Sequence, residues 1–259
     1  MSSSEIKFIG TGSGMASLNR YFSSFIISFE NFNLLVDAGD GISRALLSQG
    51  VSFSYINGIL LTHLHPDHYS GLASLLVQMK LTCRSNDIQI LVHKNLKHPV
   101  ENYLHHSYIF KEKMGFKILV ETFNHDEILK LNDSFSFIGR QNSHLNKYEK
   151  YNNENELNFS CSSILFKVDK RNIFYTGDIG SEEDIYLFKD HEINIMISEL
   201  THVSIEDLLE AYKNLKPERL YLTHYSDEDK ENFIARKNEF LLKEKDKIMM
   251  AFDGLTIQV

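Results

Sequence analysis

The chain has almost no cysteine: Cys83 and Cys161 are the only two, and they form no CxxC pair. A disulfide framework is therefore excluded, and a reducing compartment is the expected setting. Basic charge is not in excess either, with 27 Lys and Arg against 35 Asp and Glu and a formal net charge of −8. That balance argues against a broad surface that coats nucleic acid, while leaving room for a local basic patch. No apolar run approaches the length that spans a bilayer, and the opening Met-Ser-Ser-Ser-Glu-Ile-Lys lacks the apolar core of a signal peptide. A cytoplasmic protein is the expectation. What remains is an ordinary globular composition, 42% hydrophobic and 24% charged over 259 residues. It excludes a coiled coil, a collagen-like chain or a wholly disordered one.

What is present has the rhythm of short strand, glycine turn and helix. Residues 6–10 predict a strand entering the turn Gly10-Thr-Gly-Ser-Gly14, and 25–29 with 33–36 predict a hairpin-like pair. Helical spacing follows at 42–47 behind Asp40, read as its N-cap, and again at 71–79 and across the mixed stretch 95–113, with Pro99 in a first turn. A buried strand is expected at 58–61. Residues 146–158 are rich in Asn and Glu and predict a surface loop, either a tolerated insertion or a lip that contacts substrate.

An internal echo organises these pieces. The stretch from Ser23 to Asp37 resembles that from Ser162 to Thr176, each two apolar strands around a polar turn, running on into Asp37-Ala-Gly39 and Gly177-Asp178. Gly58-Ile-Leu-Leu-Thr-His63 is answered by Arg219-Leu-Tyr-Leu-Thr-His224. The echo predicts an α/β protein of two similar halves, packed sheet against sheet with helices outside, within one domain over 1–259.

The chemistry concentrates in Thr62-His63-Leu64-His65-Pro66-Asp67-His68, an HxHxDH motif between a predicted strand and a helix. His63 and His65 stand two apart, so in extended backbone both rings point the same way. Pro66 stiffens the turn, and Asp67 and His68 open the next helix, where an acid suits the positive end of the dipole. Four donors split by a turn can serve two neighbouring metal ions. Imidazole and carboxylate are the ligands that zinc takes, and iron, manganese or nickel accept them too.

This motif, the Gly10–Gly14 loop, Leu34-Leu-Val-Asp-Ala-Gly-Asp-Gly41 and Leu222-Thr-His-Tyr-Ser226 together resemble the metallo-β-lactamase fold superfamily. The N-terminal third is similar to ribonuclease Z and its relatives. The resemblance implies a four-layer αββα sandwich with two divalent ions, zinc foremost, with Mn or Fe as the alternatives. It places His63, His65 and His144 on one ion, Asp67, His68 and His224 on the other, and Asp178 between them as a bridge. His202, in Glu199-Leu-Thr-His202-Val-Ser204, stands where such proteins keep a proton-donating His. Two readings of it stay open: that role, or an incidental position before a helix capped by Thr201 or Ser204. Glu199 and Asp37 are candidates for orienting ligand imidazoles from behind, and Asp37 is equally a candidate helix cap. The remaining histidines, 93, 98, 105, 106, 125 and 191, are expected on the surface or on helix faces, and both cysteines in the core.

The activity implied is a dinuclear phosphodiesterase in which Asp67 positions the attacking water and His202 protonates the leaving oxygen. An ester, thioester or lactone hydrolase is the alternative on the same ligands, and a non-enzymatic metal-binding module is the reading from a different class. Ribonuclease Z carries a tRNA-binding arm between the third His and the bridging Asp. Here only residues 145–177 lie between them, and they already contain the echoed strand pair. The substrate is therefore expected to be small or nucleotide-like rather than precursor tRNA, with no membrane partner and a homodimer as the expected assembly.

Overall fold

β-Branched and aromatic residues dominate the segments that become strands, and their burial shows which sheets are covered on both faces. The computed structural model describes residues 4–153, 156–240 and 247–259. Ser24–Phe29 is buried at every position, and Ser162–Val168 at all but one. The chain divides into two compact units, Met1–Asn124 with Asp253–Val259, and His125–Phe252.

The first unit holds β1 (Glu5–Gly10), β2 (Ser24–Phe29), β3 (Phe32–Val36), β4 (Gly58–Leu60), β5 (Ile88–His93) and β6 (Ile118–Phe123). Its seventh strand, β14 (Thr256–Gln258), returns from the far end of the sequence to pair with β1, giving the order β14-β1-β2-β3-β4-β5-β6. The helices α1 (Ile42–Ser48), α2 (Pro66–Tyr69), α3 (Leu72–Leu81) and α4 (Lys97–His106) belong to this unit. Leu46, Leu75, Leu76, Met79 and Val100 from three of them pack with Leu35, Ile59 and Ile90 from the sheet.

The second unit holds β7 (Ile128–Lys130), β8 (Phe135–Gln141), β9 (Ser162–Val168), β10 (Arg171–Tyr175), β11 (Ile195–Glu199), β12 (Arg219–Thr223) and β13 (Ile248–Met250). They run in the order β13-β12-β11-β10-β9-β8-β7. The helices are α5 (Ile205–Leu215) and α6 (Asp227–Phe240). Leu208, Ala211 and Tyr212 of α5 pack with Phe174, Met196 and Leu220 of the sheet.

The two sheets share one topology. In each, three antiparallel pairings are followed by three parallel ones. Even the hairpin turns agree, with Glu30 at φ 53° and Asp169 at φ 54°. The hairpin half of the echo is therefore real. The other half is displaced. β3 has β4 as its parallel neighbour and β10 has β11, so the counterpart of β4 is β11 and not the 219–224 strand. Register then matches Asp37 with Thr176 and Thr62 with Glu199, rather than Asp37 with Asp178 and His63 with His224.

Three local expectations change. Gly41, in the left-handed region at φ 77°, occupies the N-cap of α1 in place of Asp40. Cys83 is exposed at φ 58°, in the turn that ends α3, whereas Cys161 is buried. His93 is buried, at 5% exposure, because it closes the interior strand β5, between β4 and β6, rather than lying on a helix face. The expected loop 146–158 begins as a 3-10 turn, Asn146–Tyr151, and residues 154 and 155 lie outside the described ones. No helix among the described residues is long and apolar enough to cross a membrane.

Candidate metal centre

In the first unit the motif sits where β4 stops pairing. Leu61 N–H still donates to Leu91, and His65 then becomes the N-cap of α2 with Pro66 in its first turn. His63 and His65 each offer a ring nitrogen within 4.8 Å of the other's, and a carboxylate oxygen of Asp67 lies within the same distance of a His68 ring nitrogen. The His63 ring lies 4.7 Å from that of His65 and 4.2 Å from that of His68, centroid to centroid. His68 Nε2 stands 3.4 Å from Asp67 Oδ2. Backbone bonds lock this turn to the end of β3: Ala38 N–H donates to His68, and Gly71 N–H to Ala38.

Asp37 acts on this cluster and does not cap α1. Fully buried at φ 60°, it receives the Thr62 N–H at 2.9 Å and the Thr62 hydroxyl at 3.0 Å, and meets His68 Nδ1 at 2.9 Å. Thr62 Oγ1 in turn lies 3.0 Å from His63 Nδ1. With Nδ1 of both rings engaged, Nε2 is the nitrogen each ring has left to offer a metal ion, the arrangement by which carboxylates and hydroxyls orient metal-binding histidines. Thr62 was not visible as a functional residue from the sequence. Its position between a strand and the first His was the only signal.

The second unit assembles the other candidate ligands. His144 follows β8, Asp178 follows β10 and His224 follows β12. Asp178 Oδ2 lies 3.7 Å from His144 Nε2 and 3.4 Å from His224 Nε2. Asn142 supports both, its amide donating to the Asp178 carbonyl at 2.9 Å and its oxygen receiving the His144 N–H at 3.2 Å. His224 holds the left-handed conformation at φ 48°, uncommon for a residue other than glycine.

Glu199, fully buried at the end of β11, ties this set together. One oxygen takes the Ile179 N–H at 2.6 Å. The other takes the His202 N–H at 3.0 Å and meets His202 Nδ1 at 2.7 Å, with His224 Nδ1 at 3.6 Å. Burial pushes its carboxyl up, but the bonds to His202 and His224 outweigh that, and the group settles below the ordinary value. Glu199 and His202 also form a possible metal-binding trio with His224, yet the Glu199 oxygens already serve backbone N–H groups. Ser204, not Thr201, caps α5 by accepting from Asp207 N–H. The His202 side chain remains 31% exposed, its ring 4.8 Å from that of His144 and 5.9 Å from that of His224.

The structure thus brings His63, His65, Asp67 and His68 together in one unit and His144, Asp178 and His224 together in the other. The donor types and their convergence within each unit fit divalent metal ions. Elsewhere, His98 pairs with Asn102 and His125 with Ser162, and neither joins these sets.

Known proteins share the fold and the family. Over 134 residues the chain is 33% identical to ribonuclease Z of Methanococcus aeolicus, a match covering 52% of this chain and 41% of that protein. The aligned region is less than half the length of the curated relatives matched. The metallo-β-lactamase fold protein YhfI from Bacillus subtilis superposes with a TM-score of 0.77 at 16% identity, covering 99% of this chain and 100% of that one. Human tRNase Z, short form, superposes with a TM-score of 0.71 at 19% identity, covering 98% of each chain. The fold is that of the metallo-β-lactamases. Residues 4–248, a span that carries every ligand candidate in both units, match the family model of the anti-Pycsar protein Apyc1, and to that family the chain belongs.

Proposed function

We propose that the two ligand sets form one dinuclear centre and that the chain is a metal-dependent phosphodiesterase acting on a small or exposed phosphodiester. His63, His65 and His144 would hold one ion, Asp67, His68 and His224 the other, with Asp178 shared. Zinc suits these ligands best, with manganese or iron as alternatives. In this reading residues 1–259 are one domain whose two units are its halves.

When bound, such a pair of ions supplies Lewis acidity towards a phosphoryl group and a water acidified towards neutrality. The chain's own side chains do the rest. Asp67 orients the attacking water. His202 delivers a proton to the departing oxygen, its ring aimed by Glu199, which grips Nδ1 and leaves Nε2 to the substrate. Asp37 and Thr62 hold His68 and His63 in register.

The observation that carries this reading is the Glu199–His202 pair, a fully buried carboxylate holding a partly exposed imidazole beside the His144 and His224 rings. A metal ligand set needs no such pair, whereas expulsion of an alkoxide from phosphorus needs a proton donor. Precursor tRNA is not the substrate in this proposal. The net charge is −8, and the residues between His144 and Asp178 are spent on a 3-10 turn and the strands β9 and β10. A homodimer in the cytoplasm is the proposed working form.

The test is hydrolysis of bis(p-nitrophenyl) phosphate and of cyclic mononucleotides, set against thioester and lactone panels, on protein of measured metal content. Phosphodiester turnover should dominate. Turnover confined to thioesters or lactones would move the protein to the carbonyl-hydrolase reading, and none on any panel to a metal-binding module.

A further inference from the structure

Asp184 is a buried carboxylate, 6% exposed, in the 3-10 turn Glu182–Tyr186 that follows Asp178. Part of its bonding is local. Its side chain receives the N–H of Ser181, whose own side chain accepts from Asp184 N–H, a reciprocal cap of the short turn. The rest is not local. Oδ2 also receives the Gly180 N–H at 2.9 Å, the Ser143 hydroxyl at 2.7 Å and the Ser143 N–H at 3.0 Å. Ser143 lies far away in sequence, on the turn after β8, and its neighbour is His144. Gly180 stands two residues beyond Asp178.

We propose that Asp184 is a positioning residue: it clamps the turn carrying His144 to the turn carrying Asp178 and so sets the spacing of those two ligands. A capping role alone leaves the two bonds from Ser143 without purpose. The clamp is also sterically close. A Cβ on Gly180 would stand 2.5 Å from the carbonyl carbon, carbonyl oxygen and hydroxyl of Ser143, so the two turns touch backbone to backbone. A further bond crosses the same seam, His144 Nδ1 to the Ile179 carbonyl at 3.2 Å, which orients the imidazole. Asp184 thus holds in place the backbone on which that orienting carbonyl rides. Its carboxylate accepts from backbone and hydroxyl donors, and no ligand imidazole is among its partners.

The inference rests on the assignment of His144 and Asp178 as metal ligands, and cobalt binding separates the two claims. Metal-free wild-type protein, Asp184→Asn, Ser143→Ala and His144→Ala are titrated with Co2+ alone, following the visible absorption band and the stoichiometry. Wild type should take up two ions and His144→Ala should lose one. Asp184→Asn should fold, keep both sites, and bind the ion that His144→Ala loses about 10–100-fold more weakly, with a shifted band, as losses behind a ligand do. Ser143→Ala, which removes only the hydroxyl, should move both readouts the same way by less. If His144→Ala keeps both ions, the ligand assignment fails and this role goes with it. If His144→Ala loses one ion while Asp184→Asn binds Co2+ with wild-type affinity and spectrum, the ligands stand and the clamp is overturned. Should Asp184→Asn not fold, an unchanged affinity and band in Ser143→Ala overturns the clamp equally.

Discussion

His68 Nδ1 and Asp37 Oδ2 lie 2.9 Å apart with both side chains fully buried, joining the first turn of α2 to the end of β3. Asp37→Ala removes this partner together with both Thr62 bonds. Metal affinity at the His68 site should fall about 10–100-fold. The metal-free protein should lose roughly 1.5–3 kcal/mol for each charge-assisted hydrogen bond left unmade. Chelator competition and denaturant melts measure the two effects. A variant with wild-type affinity would make Asp37 a purely structural residue.

Metal stoichiometry tests the division of ligands. Purified protein should carry close to two transition-metal ions per chain, and His63→Ala and His224→Ala should each deplete a different one. Metal analysis of the two single variants and the double variant decides. One ion at most under replete conditions removes the dinuclear centre.

His202→Ala should keep its metals and its melting temperature while losing about 10²–10⁴-fold in turnover on a phosphodiester with an alkoxide leaving group. The loss should be smaller for p-nitrophenolate, which departs without a proton. Equal losses on both leaving groups would place His202 outside proton transfer.

A 3′-extended tRNA should be cleaved poorly. Efficient cleavage that weakens steeply with added salt would reveal phosphate contacts gathered from distant residues and overturn the small-substrate reading.

Buried His93 has its pKa lowered, first by desolvation and then by Lys94 beside it. Its folded value therefore lies below the unfolded 6.5, and below pH 6.5 the unfolded chain binds the extra proton. Stability is lost as pH falls from 6.5 towards the folded value, by at most about 1.4 kcal/mol per pH unit. His93→Asn removes this contribution, so the stability of wild type relative to the variant should shrink on acidification. A difference independent of pH between 7 and 5 contradicts the assignment.

Much of this molecule was legible because side-chain direction follows backbone type. Two histidines two apart at a strand end, then a Pro-led helix, could only converge. The hairpin echo was legible because burial on both faces forces apolar runs. The echo failed where the code is degenerate. Leu-Thr-His occurs at 61–63, 200–202 and 222–224, and three-residue agreement cannot say which strand neighbours which. Only the register of β10 with β11 shows that Glu199 is the counterpart of Thr62. Each donates its backbone N–H to the side chain that ends the neighbouring hairpin, Thr62 to Asp37 and Glu199 to Thr176. Asp184 was hidden for a related reason. It closes the run Glu182-Glu183-Asp184, which reads as a solvated acidic turn until Ser143 arrives from a distant strand.

The return of β14 to β1 has a consequence for how the chain acquires this shape. The Ser4 hydroxyl reaches the Val259 carbonyl, a contact between residues 255 positions apart, and Ile6 pairs with Ile257. Closing a loop of that length costs about 5 kcal/mol of chain entropy, against which three paired residues return little until the rest of the sheet exists. During synthesis the second unit, continuous in sequence, emerges whole before the first can be finished. Through that interval β1 is an open edge, and Glu5 and Lys7 put opposite charges along it, the kind of marking that keeps an exposed strand from recruiting the wrong partner.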